Sequence, residues 1–282
     1  MNTIDISRAT QFAVALRPLL TAAKEVFYQG DFTVSKKADN SAVTLIDTVL
    51  QEGIVRLCQE FFGADIVIIA EEDEGDHVSE TMSPWTAYID PVDGTAGVVA
   101  QDLSWAHVSI GIFYNGAPFL GFIGAIQDET VIFGGSVLGN LFEVTAVGEV
   151  KELVRRPISF ENKLIAFEIG QVGWSNPLVK GTLLSLFAQH DTPGGKHYCL
   201  PCVMVGTKLL LGNCRYYIGV PAARPWDVAA LLALFAVRGM HLVSLETGKT
   251  IVLGHNRDVV GPFVMADSPE SLREVLSLRP AI

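Results

Sequence analysis

The chain has 282 residues, a formal net charge of −11 at pH 7 and 49% hydrophobic residues. This length suffices for one large domain or two closely packed halves, and the acidity argues against a nucleic-acid binder, because phosphate backbones require basic patches. No membrane span is expected, since Asn115-Gly116 interrupts residues 106–126 and residues 228–237 fall short of the roughly 20 residues that a bilayer requires. Without a basic-then-apolar signal at the N-terminus, we expect a cytoplasmic protein.

Two helices precede a run of strands in the first half of the predicted fold. Apolar residues at helical spacing predict one helix over residues 6–28, ending at Gly30, and a second from a cap at Thr44 through residue 62. Strands are predicted at DIVIIAEED, TAYIDPVDGT and residues 106–114, 118–126, about 130–134 and about 141–145. Residues 106–114 and 118–126 form a predicted hairpin, because Asn-Gly is a strong turn signal.

The second half continues with both kinds of element. Strands are predicted at ENKLIAFEIG and RYYIGV, and a helix over residues 177–190. A further helix, PAARPWDVAALLALFAVRGM, has Asp227 at its start and Gly239 at its end. We therefore predict a layered α/β or α+β protein with its site between two halves, residues 1–148 and 149–282.

Five acids stand where a predicted apolar element meets a loop or a helix start: Glu71, Glu72, Asp90, Asp93 and Asp227. Taken singly, each acid has a structural explanation. The two glutamates could be solvated loop residues, Asp227 could favour the helix N-terminus, and Asp90 before proline could form an Asx turn.

The DPVDGT frame favours a metal site over these explanations. Pro91 restricts the backbone so that the carboxylates of Asp90 and Asp93 converge, and Gly94 lets the chain turn closely against a ligand. Converging carboxylates repel one another unless cations lie between them, and oxygen ligands favour magnesium, manganese or calcium over zinc. The amides of Gly94 and Thr95 would open a helix and bind an anion. Metals beside an anion site indicate phosphate-ester hydrolysis.

The cysteines and the remaining candidates are weaker. Cys199 and Cys202 form a lone CxxC motif, which does not complete a zinc site. A redox pair is an alternative, but buried free thiols in a reducing compartment are favoured for all four cysteines. His107 is expected to be structural, and Lys37 to be solvated or to touch the metal-binding loop.

Four segments resemble, in order, the inositol monophosphatase family of magnesium-dependent, lithium-sensitive phosphatases related to fructose bisphosphatase. The segments are KKADNSAVTLID at 36–47, IIAEED at 68–73, WTAYIDPVDGT at 85–95 and RPWDVAA at 224–230. The resemblance covers nearly the full length, and DPVDGT followed by WDVAA is its most specific part. It implies an αβαβα sandwich, a small phosphorylated substrate and a homodimer.

The resemblance also implies a set of metal ligands. One Mg²⁺ would be held by Glu71, Asp90 and the Val92 carbonyl, and a second by Asp90, Asp93 and Asp227. A third, weaker ion would lie near Glu71, and manganese is an alternative metal. Glu72 would be at most an indirect contributor.

Catalytic and phosphate-binding residues follow from the same resemblance. Thr95, hydrogen-bonded to Asp47, would orient and help deprotonate the attacking water, with Glu71 as the third catalytic residue. The phosphate would be bound by Asp93 and by the amides of Gly94, Thr95 and Ala96. Without the resemblance, Asp47 is simply an acid in the first turn of a helix.

The chain departs from the family pattern where the substrate would bind. Ala96-Gly97-Val98 follows DGT in place of Thr-Asn-Phe, which predicts a looser wall, and the usual G-S-A-A segment is replaced by residues 200–203. Gly219-Val220-Pro221 stands where inositol phosphatases carry a sugar-binding glutamate. These changes motivate an alternative to a magnesium-dependent phosphomonoesterase: a regulator that binds a phosphorylated ligand. A calcium-binding structural module is a third alternative, disfavoured because the sequence has no EF-hand spacing.

Overall fold

Two β-sheets alternate with three layers of helices in the computed structural model of the chain. The structure describes residues 5–30, 35–36, 42–72, 83–154, 164–167, 175–189, 201–219 and 223–280. Within these residues, no helix is both long and apolar enough to cross a membrane.

The first helical layer consists of α1 (Ile6–Gln29) and α2 (Leu45–Phe62). Helix α1 ends at Gly30, whose φ of 74° is the left-handed conformation that glycine adopts at helix C-termini. Between the two helices lies a short antiparallel ribbon, β1 (Ser35–Lys36) with β2 (Ala42–Val43). Both helices pack on one face of the larger sheet, where the rings of Phe12 and Phe122 lie 4.5 Å apart.

The larger sheet has seven strands in sequence order. They are β3 (Val67–Ala70), β4 (Trp85–Asp93), β5 (His107–Tyr114), β6 (Ala117–Ala125), β7 (Thr130–Gly134), β8 (Leu141–Val144) and β9 (Val150–Glu152). Strands β3 and β4 are parallel, and every later neighbouring pair is antiparallel. Asn115 and Gly116 both have positive φ, 49° and 76°, as a two-residue hairpin turn between β5 and β6 requires.

Two helices fill the space between the sheets: α5 (Cys202–Leu210) and α6 (Pro225–Arg238). Helix α6 lies so close to the larger sheet that a Cβ on Gly111 would be 2.5 Å from the Cβ of Ala229. A Cβ on Gly121 would be 2.4 Å from the carbonyl oxygen of Ala230. Because only glycine permits this approach, the two strands fix the position of α6, and with it Asp227.

The smaller sheet has the strand order β10 (Leu164–Phe167), β11 (Cys214–Gly219), β13 (Phe263–Ala266) and β12 (His241–Ser244). Successive residues of β11 face opposite sides, as in any strand. Tyr217 packs with the central helices, whereas Tyr216 packs with the outer helices α4 (Pro177–Gln189) and α7 (Pro269–Ser277).

The five-layer αβαβα architecture is confirmed, together with the predicted helices, strands and hairpin. Helices α5 and α7 and strands β1, β2, β9, β12 and β13 were not predicted. The division at residues 148 and 149 stays a prediction, although β9 (Val150–Glu152) pairs with the larger sheet.

Candidate active site

The DPVDGT frame forms a β-bulge at the end of β4. Asp90 and Asp93 both pair with β5, but the two residues between them, Pro91 and Val92, face a single residue there. A bulge tolerates proline, because the extra residue at a bulge is not paired with the neighbouring strand and proline has no N–H to donate. The amide of Val92 instead donates to Oδ1 of Asp90, at 2.9 Å. The bulge therefore places two carboxylates where the strand leaves the sheet.

Asp90 is the centre of a group of acids. Its side chain is only 2% exposed, and its pKa is raised well above the usual range, first by burial and then by the charges of Glu71, Asp93 and Asp227. The Glu71 side chain also raises the pKa of Asp90 through a direct side-chain interaction. The fold thus brings together four predicted site acids from three separate segments.

Main-chain amides hold two of these acids. Oδ2 of Asp93 accepts from the amide of Val203 at 2.8 Å, and Oδ2 of Asp227 accepts from the amide of Arg224 at 2.7 Å. Among the described residues, no group of three or more His, Cys, Asp or Glu side chains is arranged so that it could coordinate a metal ion as it stands. Carboxylates repel one another when no cation lies between them. All the donors are oxygen atoms, which fits a hard divalent cation. The side chains would have to turn toward such an ion to bind it.

Asp47 and Thr95 are in direct contact. Asp47 is fully buried, and its Oδ1 lies 3.2 Å from Oγ1 of Thr95. Its Oδ2 accepts from the amide of Thr44 at 2.8 Å and also from the Thr44 hydroxyl. Burial raises the pKa of Asp47, the Thr44 bonds oppose that shift, and the charge of Glu71 adds to it. Since Oγ1 of Thr95 is also 2.9 Å from the Val92 carbonyl, its one proton has two competing acceptors.

The turn after Asp93 requires glycine. Gly94 has a φ of 96°, and a Cβ there would be 2.5 Å from the carbonyl oxygen of Trp105 and 2.9 Å from Cγ of Pro201. The short helix α3 (Thr95–Val99) begins directly after it, as predicted. Ala96 is exposed. At Gly97 a Cβ would be 2.8 Å from Cβ of Trp105, so the space is filled and the looser wall predicted there is not seen at this residue.

Comparison with known proteins identifies the family. The inositol monophosphatase family matches residues 4–260 of the chain. The chain belongs to the inositol monophosphatase family. Members of this family are metal-dependent phosphoric monoester hydrolases, which confirms the predicted family and enzyme class.

Relatives cover most of the chain. The inositol-1-monophosphatase of Bacillus subtilis (strain 168) is 26% identical over 226 residues, 80% of each chain. A staphylococcal inositol monophosphatase-1 in a lithium chloride-soaked inhibitory complex has a TM-score of 0.69 at 18% identity, covering 93% of this chain and 90% of that one. An IMPase/NADP phosphatase complexed with Mg²⁺ and phosphate has a TM-score of 0.67 at 18% identity, with 93% and 92% covered. The two structural similarities show the inositol monophosphatase fold.

Two neighbours of the acids were missed by the sequence analysis. Oε1 of Gln51 accepts from the amide of Glu72 at 2.9 Å. Nη2 of Arg257 donates to the carbonyl oxygen of Glu71 at 3.0 Å. Neither residue lies in the four motif segments at 36–47, 68–73, 85–95 and 224–230, and a lone glutamine in a helix or arginine in a loop carries no signal of its own.

The remaining candidates are structural or lie outside the described residues. His107 is buried, with Nδ1 3.1 Å from the carbonyl oxygen of Trp105, and burial lowers its pKa. Cys58, Cys202 and Cys214 are buried, as predicted. The predictions for Lys37, Cys199, Leu200 and residues 220–221 lie outside the described residues.

Proposed function

We propose that the protein is a Mg²⁺-dependent phosphomonoesterase that hydrolyses a small phosphorylated metabolite. The observation that carries this proposal is the group of acids around Asp90. The pKa of Asp90 is raised by burial and by three other carboxylates. A protein that buries a carboxyl group among like charges does so at a cost in stability, and such costs are concentrated at functional sites. Family membership supports the same conclusion.

The acids divide into two proposed ligand sets. Glu71, Asp90 and the Val92 carbonyl would hold one ion, and Asp90, Asp93 and Asp227 a second; Mn²⁺ could replace Mg²⁺, and a third, weaker ion could lie near Glu71. When bound, such ions supply positive charge opposite the phosphate oxygens and lower the pKa of a water molecule. All proposed donors are oxygen atoms, which suits these hard cations.

Thr95 and Asp47 would manage the proton of the attacking water. The Thr95 hydroxyl would leave the Val92 carbonyl, donate to Asp47 and accept a hydrogen bond from the water. Because Thr44 already holds the other carboxylate oxygen of Asp47, that side chain cannot swing away. Its raised pKa moves it toward the basicity that a general base needs.

The turn at Gly94 would receive the phosphate. Main-chain amides of Gly94, Thr95 and Ala96 are proposed to donate to phosphate oxygens, with Asp93 beside them. Glycine at position 94 permits this turn, because a side chain there would strike Trp105 and Pro201. Ala96 is exposed, so its amide lies at the rim of the proposed site.

The substrate is proposed only as a class. Relatives are named as an inositol-1-monophosphatase and as an IMPase/NADP phosphatase, which supports small phosphate monoesters. Residues 200–203 differ from the family pattern, and here Pro201 and Val203 contact the Asp93-Gly94 turn directly. A homodimer and a cytoplasmic location stay predictions.

Replacing Asp93 tests the proposal. Asp93→Asn keeps an acceptor for the Val203 amide but removes one charge, and we expect Mg²⁺-stimulated phosphate release to fall at least about 100-fold. Phosphate release is measured with malachite green over sugar phosphates, inositol phosphates, histidinol phosphate and phosphoadenosine phosphate. The control is Asp65→Asn, which removes an exposed acid outside the site.

Two outcomes would contradict the proposal. Near-normal activity of Asp93→Asn would remove Asp93 from the metal site. A wild-type protein that releases no phosphate from any substrate in the screen, while still binding one of them, would instead favour a regulator.

A further inference from the structure

Residues 254–260 form a strap between the two ligand-bearing parts of the proposed site. At one end, the hydroxyl of Tyr88 on β4 donates to the carbonyl oxygen of Gly254, at 2.8 Å. At the other end, the amide of Val260 donates to the carbonyl oxygen of Ala223, just before α6, at 2.8 Å. The strap is therefore fastened both to the strand that carries Asp90 and to the approach to Asp227.

Arg257 lies in the middle of this strap and contacts both parts. Its Nη2 donates to the carbonyl oxygen of Glu71 at 3.0 Å. The centre of its guanidinium lies 4.8 Å from the centroid of the Trp226 ring, immediately before Asp227. Its own carbonyl oxygen accepts from Nη1 of Arg224 at 2.9 Å.

A guanidinium can make these contacts at the same time. It is planar, so it donates through its edge while its face covers an aromatic ring. The ring is a firm support, because Trp226 is 6% exposed and its carbonyl oxygen accepts from Oγ of Ser109 at 3.1 Å. The hydrogen bond from Arg257 reaches the main-chain oxygen of Glu71, so it holds the turn without occupying a carboxylate oxygen.

The two parts need such a link because their acids repel one another. Glu71 follows β3, whereas Asp227 stands in the first turn of α6, and both act on Asp90. The amide of Glu71 donates to the carbonyl oxygen of Ile89 at 3.0 Å, which holds the turn to β4. The Arg257 contacts add a connection from the same turn to Trp226 at the start of α6, and they oppose a movement that would relieve the repulsion.

We propose that Arg257 is a positioning residue: by joining the Glu71 turn to Trp226, it sets the separation between the carboxylates of Glu71 and Asp227 across which metal ions are bound. This inference rests on the proposed function. Arg257 acts through the ligands and does not itself touch the ion or the substrate.

The chain offers a matched control for Arg257. Nε and Nη2 of Arg8 donate to the carbonyl oxygen of Phe61, at 3.0 and 2.6 Å, and its guanidinium lies 5.7 Å from the Phe61 ring. The same chemistry therefore joins α1 to α2, away from the acids. Arg257→Met and Arg8→Met each remove one guanidinium that bonds a carbonyl and covers a ring.

The test measures Mn²⁺ binding to the chelator-stripped full chain by electron paramagnetic resonance, without substrate. We expect Arg257→Met to bind Mn²⁺ about tenfold more weakly than wild type, the lower end for losing a residue that orients metal ligands. Arg8→Met should stay within about twofold of wild type, while urea unfolding in EDTA shows similar losses of stability for both variants. Arg257→Lys, which keeps a cation and a donor, should recover part of the affinity.

The outcomes separate this inference from the proposed function. Wild-type Mn²⁺ affinity in Arg257→Met, or in Arg257→Lys if the methionine variant does not fold, overturns the positioning role alone. Equal weakening by Arg8→Met also overturns it, since the effect would then be general destabilisation. A wild-type chain that binds no Mn²⁺ defeats the proposed function, and the positioning role with it.

Discussion

Two groups of acids in this protein have opposite surroundings. In the Asp90 cluster (Glu71, Asp90, Asp93 and Asp227), the main influences on the central carboxyl are burial and other carboxylates. In the Glu274 cluster, between β11 and α7, Glu274 lies 2.7 Å from Nη2 of Arg215 and accepts from the Tyr216 hydroxyl. The Asp90 cluster places carboxylates next to one another, whereas the Glu274 cluster surrounds a carboxylate with hydrogen-bond donors.

The Glu274 cluster continues as a connected network. Nε of Arg215 donates to Oγ of Ser271 at 3.1 Å, and that hydroxyl donates to Oδ1 of Asp267 at 2.5 Å. The network joins the smaller sheet to α7, and nothing in it requires a ligand. Buried acids therefore indicate a ligand site when their neighbours are also acids, and a structural role when their neighbours are hydrogen-bond donors.

The largest stability effect should come from breaking the Glu274 cluster. Arg215→Met leaves Glu274 without its cation, and since these side chains are only 24% and 16% exposed, we expect a loss of about 2–3 kcal/mol in the free energy of unfolding. Urea unfolding measures it. The control is Arg273→Met, whose pair with Glu270 is 70% exposed on both sides, and we expect no measurable change in the free energy of unfolding.

Phosphatase activity of the same variant tests whether the two clusters are independent. Because Arg215 lies outside the Asp90 cluster, folded Arg215→Met should hydrolyse substrate at the wild-type rate. An unchanged unfolding free energy, or a lower rate per folded molecule, would contradict the division between the two clusters.

A smaller effect is expected from metal at the Asp90 cluster. Mg²⁺ at ten times its Kd should raise the unfolding free energy of the wild type by about 1.4 kcal/mol, because only the folded state offers the site. Asp93→Asn should lose this gain and, in EDTA, should be no less stable than wild type, because one repelling charge is gone. Thermal unfolding with and without Mg²⁺ measures both. If Asp93→Asn is clearly less stable in EDTA, Asp93 has a structural role.

Sequence patterns predict the elements of this fold whose ends carry a recognisable signal. Helix α6 is predicted because Asp227 and Gly239 mark its ends. Helix α5 is not predicted, because it has only nine residues and its N-cap, Pro201, offers no side chain that caps the helix. Helix α7 carried a usable signal in Ser268-Pro269-Glu270, a cap followed by proline at the first helical position.

The same limit applies to the candidate site. Asp90 and Asp93 could be predicted because they lie together in DPVDGT. The link from Asp47 to Thr95 came only through the resemblance, because 48 positions separate residues that tertiary packing alone brings into contact. Arg257 could not be predicted, since its partners, Glu71 and Trp226, are distant in sequence and its loop has no characteristic pattern.

The smallest expected effect is at the partly exposed pair between Lys24 and Glu129, 2.7 Å apart. Lys24 binds one acid there, whereas Arg215 binds both Glu274 and the Ser271 hydroxyl. The hydrogen bond from Lys24 is the main reason that the pKa of Glu129 is lowered, with a second bond from Thr21. A lowered folded-state pKa stabilises the protein above the unfolded-state pKa, and this contribution disappears as the pH falls through the folded-state value. Lys24→Met should therefore cost about 0.5 kcal/mol at neutral pH and progressively less in acid or in 1 M salt. Urea unfolding over a pH and salt series measures this cost. A loss above about 1 kcal/mol that salt does not reduce would contradict the prediction, because the pair would then stabilise the fold as strongly as the Glu274 cluster.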